Sequence, residues 1–257
     1  MGQDVQMLRK RSAYLDCMQS VPGWFDHLDA ALICEISDWQ QSAGMRGDIV
    51  EIGVYHGRSA VLFGFLLGAG ERFVACDPFD DKRGLSAENH LWNGRFYPGL
   101  TRDAFERNYI RWHGTLPVIA AVPSAALGHI VPAGSCRLVH VDGAHDHRAV
   151  AADARMSRVI SMPGAVAVFD DWCKAHLPGA ALAVWEQVAS GVLLPVALTD
   201  AKLYGCWSMA EADALRGRLA EWAASQPGIR VDEHLLADRV VPRIVPRPAP
   251  SDWPRES

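Results

Sequence analysis

The chain has no apolar run near the roughly 18 residues that span a membrane, and its opening residues, Met1 to Asp4, lack the basic-then-apolar order of a secretion signal. A soluble protein of the cytoplasm is expected. Its six cysteines (Cys17, Cys34, Cys76, Cys136, Cys173 and Cys206) show no CxxC spacing, and several fall in strand-like apolar runs. That speaks against both a disulfide framework and structural zinc. Lys and Arg number 25 against 30 Asp and Glu, a formal charge of −5, and no basic stripe collects, so no nucleic-acid partner is expected. There is no internal repeat, and the G-x-G-x-x-G of a pyrophosphate-binding turn is missing.

What the chain does have is apolar surface: 49% of its 257 residues are hydrophobic, enough for a substantial core. After Asp26, suited to cap a helix, Leu28, Ala31, Leu32, Ile33, Ile36 and Trp39 recur at helical spacing to about Ala43. Short apolar runs at 48–54, 72–77, 117–121, 137–142 and 165–169 read as strands, separated by stretches long enough for crossover helices. Such alternation predicts a mostly parallel α/β sheet with helices on both faces. Two further runs, 193–198 and 203–208, are joined only by Thr199 to Lys202, so they must form a hairpin, and one strand there runs antiparallel. Residues 1–45 form a helical N-terminal extension, 46–210 the core, and 211–257 a helix and an extended, Pro- and Arg-rich tail. The stretch 78–114, long and aromatic (Trp92, Phe96, Tyr97, Tyr109, Trp112), reads as an insert that covers the site.

Two strands end in acid. Val139 to Val141 runs into Asp142-Gly-Ala-His145, and Ala167 to Phe169 into Asp170-Asp171-Trp172. Buried strands with acidic tips present oxygen ligands at the carboxyl rim of a parallel sheet, and Asp142, Asp170 and Asp171 together suggest a hard divalent cation. At the first strand-to-helix turn, Glu51-Ile-Gly-Val-Tyr-His-Gly-Arg-Ser59 spaces its glycines G-x-x-x-G and places an acid before them, a poor cradle for an anion. Asp77, ending the next strand, stands where this architecture hydrogen-bonds a ribose diol. A nucleoside without phosphates, carrying ammonium and sulfonium groups, satisfies both observations. S-adenosylmethionine is such a ligand.

Together with Cys76-Asp-Pro-Phe79, Val141-Asp-Gly-Ala-His145 and Phe169-Asp-Asp-Trp172, the turn resembles the class I S-adenosylmethionine-dependent methyltransferases. More narrowly, the set is similar to the metal-dependent sugar O-methyltransferases of the macrocin and mycinamicin type, over roughly residues 48–208. The resemblance implies a Rossmann-like, seven-stranded, mostly parallel sheet with one antiparallel strand. It also implies that Glu51, Gly53, Gly57 and Ser59 surround the methionine part of the cofactor, that Asp77 meets the ribose and Ser124 the adenine edge, and that Asp142 borders cofactor and metal alike. Asp142, Asp170 and Asp171 would then bind Mg2+ or Mn2+, and His145 would act as general base on a sugar hydroxyl of a glycoside, oligosaccharide or polysaccharide precursor.

Each residue also has a plainer reading. Asp170 and Asp171 suit a strand-to-turn cap, and His145 suits a solvated loop. His140 reads as a strand residue, His147 as the exposed side of the next helix, and a zinc hydrolase lacks its second histidine cluster. Two other functions stay open: methylation of a catechol-like small molecule, whose vicinal oxygens suit the same cation, and a non-catalytic cofactor-binding partner protein. The apolar segment around Leu8 to Met18 suits an interface between copies, giving a homo-oligomer, or a cover for the sheet.

Overall fold

The computed structural model describes residues 2–81, 91 and 94–247. Helix α1 (Gly2–Cys17) and a 3-10 turn (Met18–Ser20) precede α2 (His27–Ser42). Asp26 starts α2 by accepting the Asp29 amide at 2.8 Å, which satisfies a backbone donor that the first helical turn leaves free. The chain then alternates: β1 (Asp48–Ile52), α3 (Arg58–Phe65), β2 (Phe73–Cys76), α4 (Arg102–His113) and β3 (Val118–Ala120). A 3-10 turn (Ser124–His129) leads to β4 (Cys136–Val141), α5 (His147–Ile160), β5 (Ser161–Asp170) and α6 (Pro178–Ala189). Strands β6 (Leu194–Leu198) and β7 (Lys202–Cys206) follow, then α7 (Met209–Ser225), β8 (Ile229–Leu236) and β9 (Arg239–Pro246).

The strands form one sheet in the order β3-β2-β1-β4-β5-β7-β6-β9-β8. Strands β3, β2, β1, β4 and β5 pair in parallel, and β7 runs antiparallel to both β5 and β6, as the short Thr199 to Lys202 link requires. Among the described residues the sheet has nine strands rather than the seven expected. The extra pair is the β8–β9 hairpin, which joins the sheet where Leu198 of β6 meets Arg243. Its second strand takes up residues 241–246, which had read as an aperiodic tail. Pro242 and Pro246 argue against a strand in the sequence, yet β9 meets β6 only at Arg243, so most of it has one partner, β8, as an edge strand does, and Pro246 ends it. Trp92 and the tail from residue 248 lie outside the described residues.

Helices cover both faces. One core joins α1, α2, α3, α4 and α7 to the sheet through Tyr14, Ile33, Phe63, Phe105 and Leu215, and the other joins α5 and α6 through Val150, Ala154 and Val184. Residues 102–113, expected within the covering insert, are an amphipathic helix: Thr101 caps it by accepting the Ala104 amide at 3.2 Å, Gly114 ends it at φ +75°, and Phe105 and Tyr109 are buried. Among the described residues no helix is long and apolar enough to cross a membrane.

Candidate active site

Strand order reverses between β1 and β4, and a crevice opens outside the carboxyl ends of strands at such a switch point. Two cavities lie there, of about 630 and 580 Å³. They share Gly53, Tyr55, Tyr97 and Asp142 as walls, so a group bound in one can reach the other across that line.

Gly53 is obligatory at the junction. Its φ is +84°, and a Cβ would stand 2.1 Å from the Asp142 carbonyl oxygen, well inside contact distance. Asp77, at the tip of β2, lines the first cavity; its Oδ2 accepts the amides of Val54 (2.9 Å) and Tyr55 (3.2 Å), and its Oδ1 that of Phe79 (2.7 Å). Burial raises its pKa against the pull of those three donors. A carboxylate has about four acceptor sites, so the rigidly held group retains capacity for a ribose diol. Ser124 lines the same cavity and hydrogen-bonds Asp153 of α5, a buried wall residue that the sequence reading missed and that burial pushes up to about 6. Tyr55, Phe79 and Asp171 adopt positive φ, so left-handed backbone at non-glycine residues gathers around this rim.

Glu51, expected beside the methionine part, borders neither cavity, and neither does Gly57. Glu51 is fully buried; its Oε1 accepts a short hydrogen bond from Ser59 Oγ and lies 2.8 Å from His140 Nδ1. Burial pushes Glu51 up to about 8 and His140 well below its usual range, so the two share their hydrogen bond as neutral groups. Ser59 does reach the second cavity. Glu51 therefore props the turn from beneath.

His145 lies in the second cavity with Asp171 Oδ2 3.2 Å from its Nε2 and Tyr97 Oη at the same distance. Trp24 and Tyr55 stack at 5.5 Å between ring centroids, and Tyr97 packs edge-on to both. This aromatic wall unites the N-terminal segment, the first turn and the insert. Tyr97 was among the insert aromatics read as covering the site; Trp24 and Tyr55 carried no signal in the sequence.

The three carboxylates expected to share a cation part company. Asp171 turns to His145, whereas Asp142 and Asp170 adjoin each other and face Lys202, whose Nζ is 3.0 Å from Asp170 Oδ1 and 4.0 Å from Asp142 Oδ2. Among the described residues no three His, Cys, Asp or Glu side chains are grouped to hold a metal ion. An ion shared by Asp142 and Asp170 would sit beside a buried ammonium, and unit charges 4 Å apart repel by about 4 kcal/mol at an effective dielectric of 20, twice that for a divalent ion. The residues therefore do not fit the expected Mg2+ or Mn2+. They do fit S-adenosylmethionine, through the side-chain-free approach at Gly53, the fixed Asp77 carboxylate and a cavity of nucleoside size.

Residues 50–172 match the family model described as "Methyltransferase domain". The solved structure of the O-methyltransferase NovP superposes with a TM-score of 0.60 at 16% identity, covering 77% of this chain and 100% of that one. CalS11, a calicheamicin methyltransferase, gives 0.49 at 15% identity (81% and 94% covered), and an O-methyltransferase from Bacillus cereus in complex with SAH gives 0.41 at 15% (94% and 88%). No curated protein matches the sequence. The fold is Rossmann-like, and nearly half of the chain is similar to a methyltransferase domain.

Proposed function

We propose that the chain methylates a sugar hydroxyl, with S-adenosylmethionine in the first cavity, the acceptor in the second, and His145 as general base. The observation that carries this reading is the shared wall: the two cavities meet at Gly53, Tyr97 and Asp142, within reach of an imidazole backed by a carboxylate. When bound, the cofactor supplies an electrophilic methyl group on a sulfonium. The protein's own work is to align the acceptor oxygen and remove its proton. A proton taken up by the imidazole leaves a cation whose Nε2 lies 3.2 Å from Asp171 Oδ2, which stabilises it. The chemistry the cofactor would supply is transfer of that methyl group from sulfur to the acceptor oxygen, which would leave a thioether and a methyl ether. Trp24, Tyr55 and Tyr97 offer flat apolar faces of the kind that pack on the C–H faces of a sugar ring, and NovP, alike in fold, is an O-methyltransferase.

Transfer of labelled methyl groups to a panel of glycosides and nucleotide sugars tests this. His145→Ala should lower turnover about 100-fold or more while binding S-adenosylhomocysteine as wild type does. A catechol acceptor ionises more readily, so near-full activity of His145→Ala on catechols would move the assignment to that class.

A further inference from the structure

Lys202 opens β7 and stands directly opposite Asp170, the last residue of β5, in the antiparallel register. It is 1% exposed, yet it lines the second cavity. Asp170 and Asp142 approach its Nζ at 3.0 and 4.0 Å, and the Phe25 ring lies 5.5 Å from it. Asp29 adds a third acid nearby. Asp170 takes one N–H of the ammonium and Asp142 stands beyond hydrogen-bond distance, so the other N–H bonds of Nζ have no partner among the described residues. A buried ammonium with unused N–H bonds at a cavity wall is a donor waiting for an acceptor oxygen.

We propose that the Lys202 ammonium takes the place of a divalent cation in this site, donating a hydrogen bond to the acceptor hydroxyl so that methyl transfer proceeds without a metal. The inference rests on the methyltransferase reading above. The acceptor proton goes to His145, the methyl group to the acceptor oxygen, and Lys202 stays protonated throughout, offsetting the negative charge that develops on that oxygen. Lys202 cannot be the base. Two carboxylates, at 3.0 and 4.0 Å from Nζ, hold it as the ammonium, so it has no lone pair to offer the acceptor.

The test is a Mn2+ titration of the full chain, followed by electron paramagnetic resonance with S-adenosylhomocysteine present. Wild type should leave the free-ion signal equal to that of buffer. Lys202→Met, which frees two carboxylates, should bind Mn2+ at least tenfold more tightly, and Lys202→Met/Asp170→Asn should lose that gain. In turnover, wild type should be indifferent to a chelator, and Lys202→Met should lose at least 100-fold in kcat with S-adenosylhomocysteine affinity within about twofold. One equivalent of Mn2+ bound by wild type and weakened by Asp170→Asn overturns the proposal, as does an unchanged kcat in Lys202→Met. If that variant does not fold, the wild-type titration still decides. Calorimetry with S-adenosylhomocysteine reports separately on the methyltransferase reading: absence of binding sinks that reading, while the Mn2+ titration continues to report on the cation position.

Discussion

Glu51 and His140 show how burial can reverse the expectation that a residue's type suggests. An acid before a glycine turn reads as a contact for the cofactor's ammonium. In the folded chain it is a neutral acid bonded to a neutral histidine and to Ser59. The sign of its effect on stability follows. Because the folded-state pKa, about 8, lies above the unfolded value near 4.5, Glu51 stabilises the fold fully below pH 4.5, and that stabilisation is lost as pH rises through 8. His140 works oppositely, since its folded pKa is depressed below 6.5, so it adds stability as pH rises toward 6.5 and nothing changes beyond. Between pH 6.5 and 8 the Glu51 contribution stands alone within this pair. Wild type should therefore lose stability relative to Glu51→Gln across that window, with a slope approaching about 1.4 kcal/mol per pH unit. Urea melts of both proteins at several pH values check this; parallel curves would show that Glu51 is ionised in the native state.

Helix α4 shows the same gap between local pattern and packing at the level of an element. Thr101, the helical recurrence of Phe105, Tyr109 and Trp112, and Gly114 form a legible start, face and stop. Length alone suggested a loop. In the fold this helix is a buttress: Phe105 is fully buried, its ring lies 5.6 Å from that of Phe79, and a Cβ at Gly57 would stand 3.0 Å from it. Phe105 thus packs beneath both the first turn and the segment after Asp77. Phe105→Ala should destabilise the protein by about 3–5 kcal/mol through the cavity it leaves, and should weaken S-adenosylhomocysteine binding in calorimetry although Phe105 borders neither cavity. Unaltered affinity in a folded variant would confine Phe105 to the core. The β8–β9 hairpin escaped the sequence for a different reason: in Ile229–Leu236 most side chains are exposed or half-buried, so no clean alternation marks it.

For the molecule as a whole, the two cavities make ligand binding a property of the folded state. S-adenosylhomocysteine at 100 times its dissociation constant should stabilise the chain by about 2.7 kcal/mol, equivalent to a rise in Tm of roughly 5–10 °C for a protein of this size. Thermal scans with S-adenosylhomocysteine and with a pyrophosphate nucleotide distinguish the cofactor: a rise with the second alone would contradict the phosphate-free reading of the G-x-x-x-G turn.

The sequence by itself determined what is local or set by connectivity. Period and punctuation marked seven strands and the helix that precedes them, the short Thr199 to Lys202 link forced the antiparallel strand, and two acidic tips marked the rim where the second cavity opens. Tertiary structure alone decided which groups those tips meet. Asp171 went to His145, the aromatic wall drew Trp24 and Tyr97 from distant segments, and β5–β7 register set Lys202 against Asp170 where a metal ion had been expected. Periodicity reports which face of its own element a residue occupies. The charge it will face comes from strand pairing and packing across long separations, and in this site that charge is an ammonium.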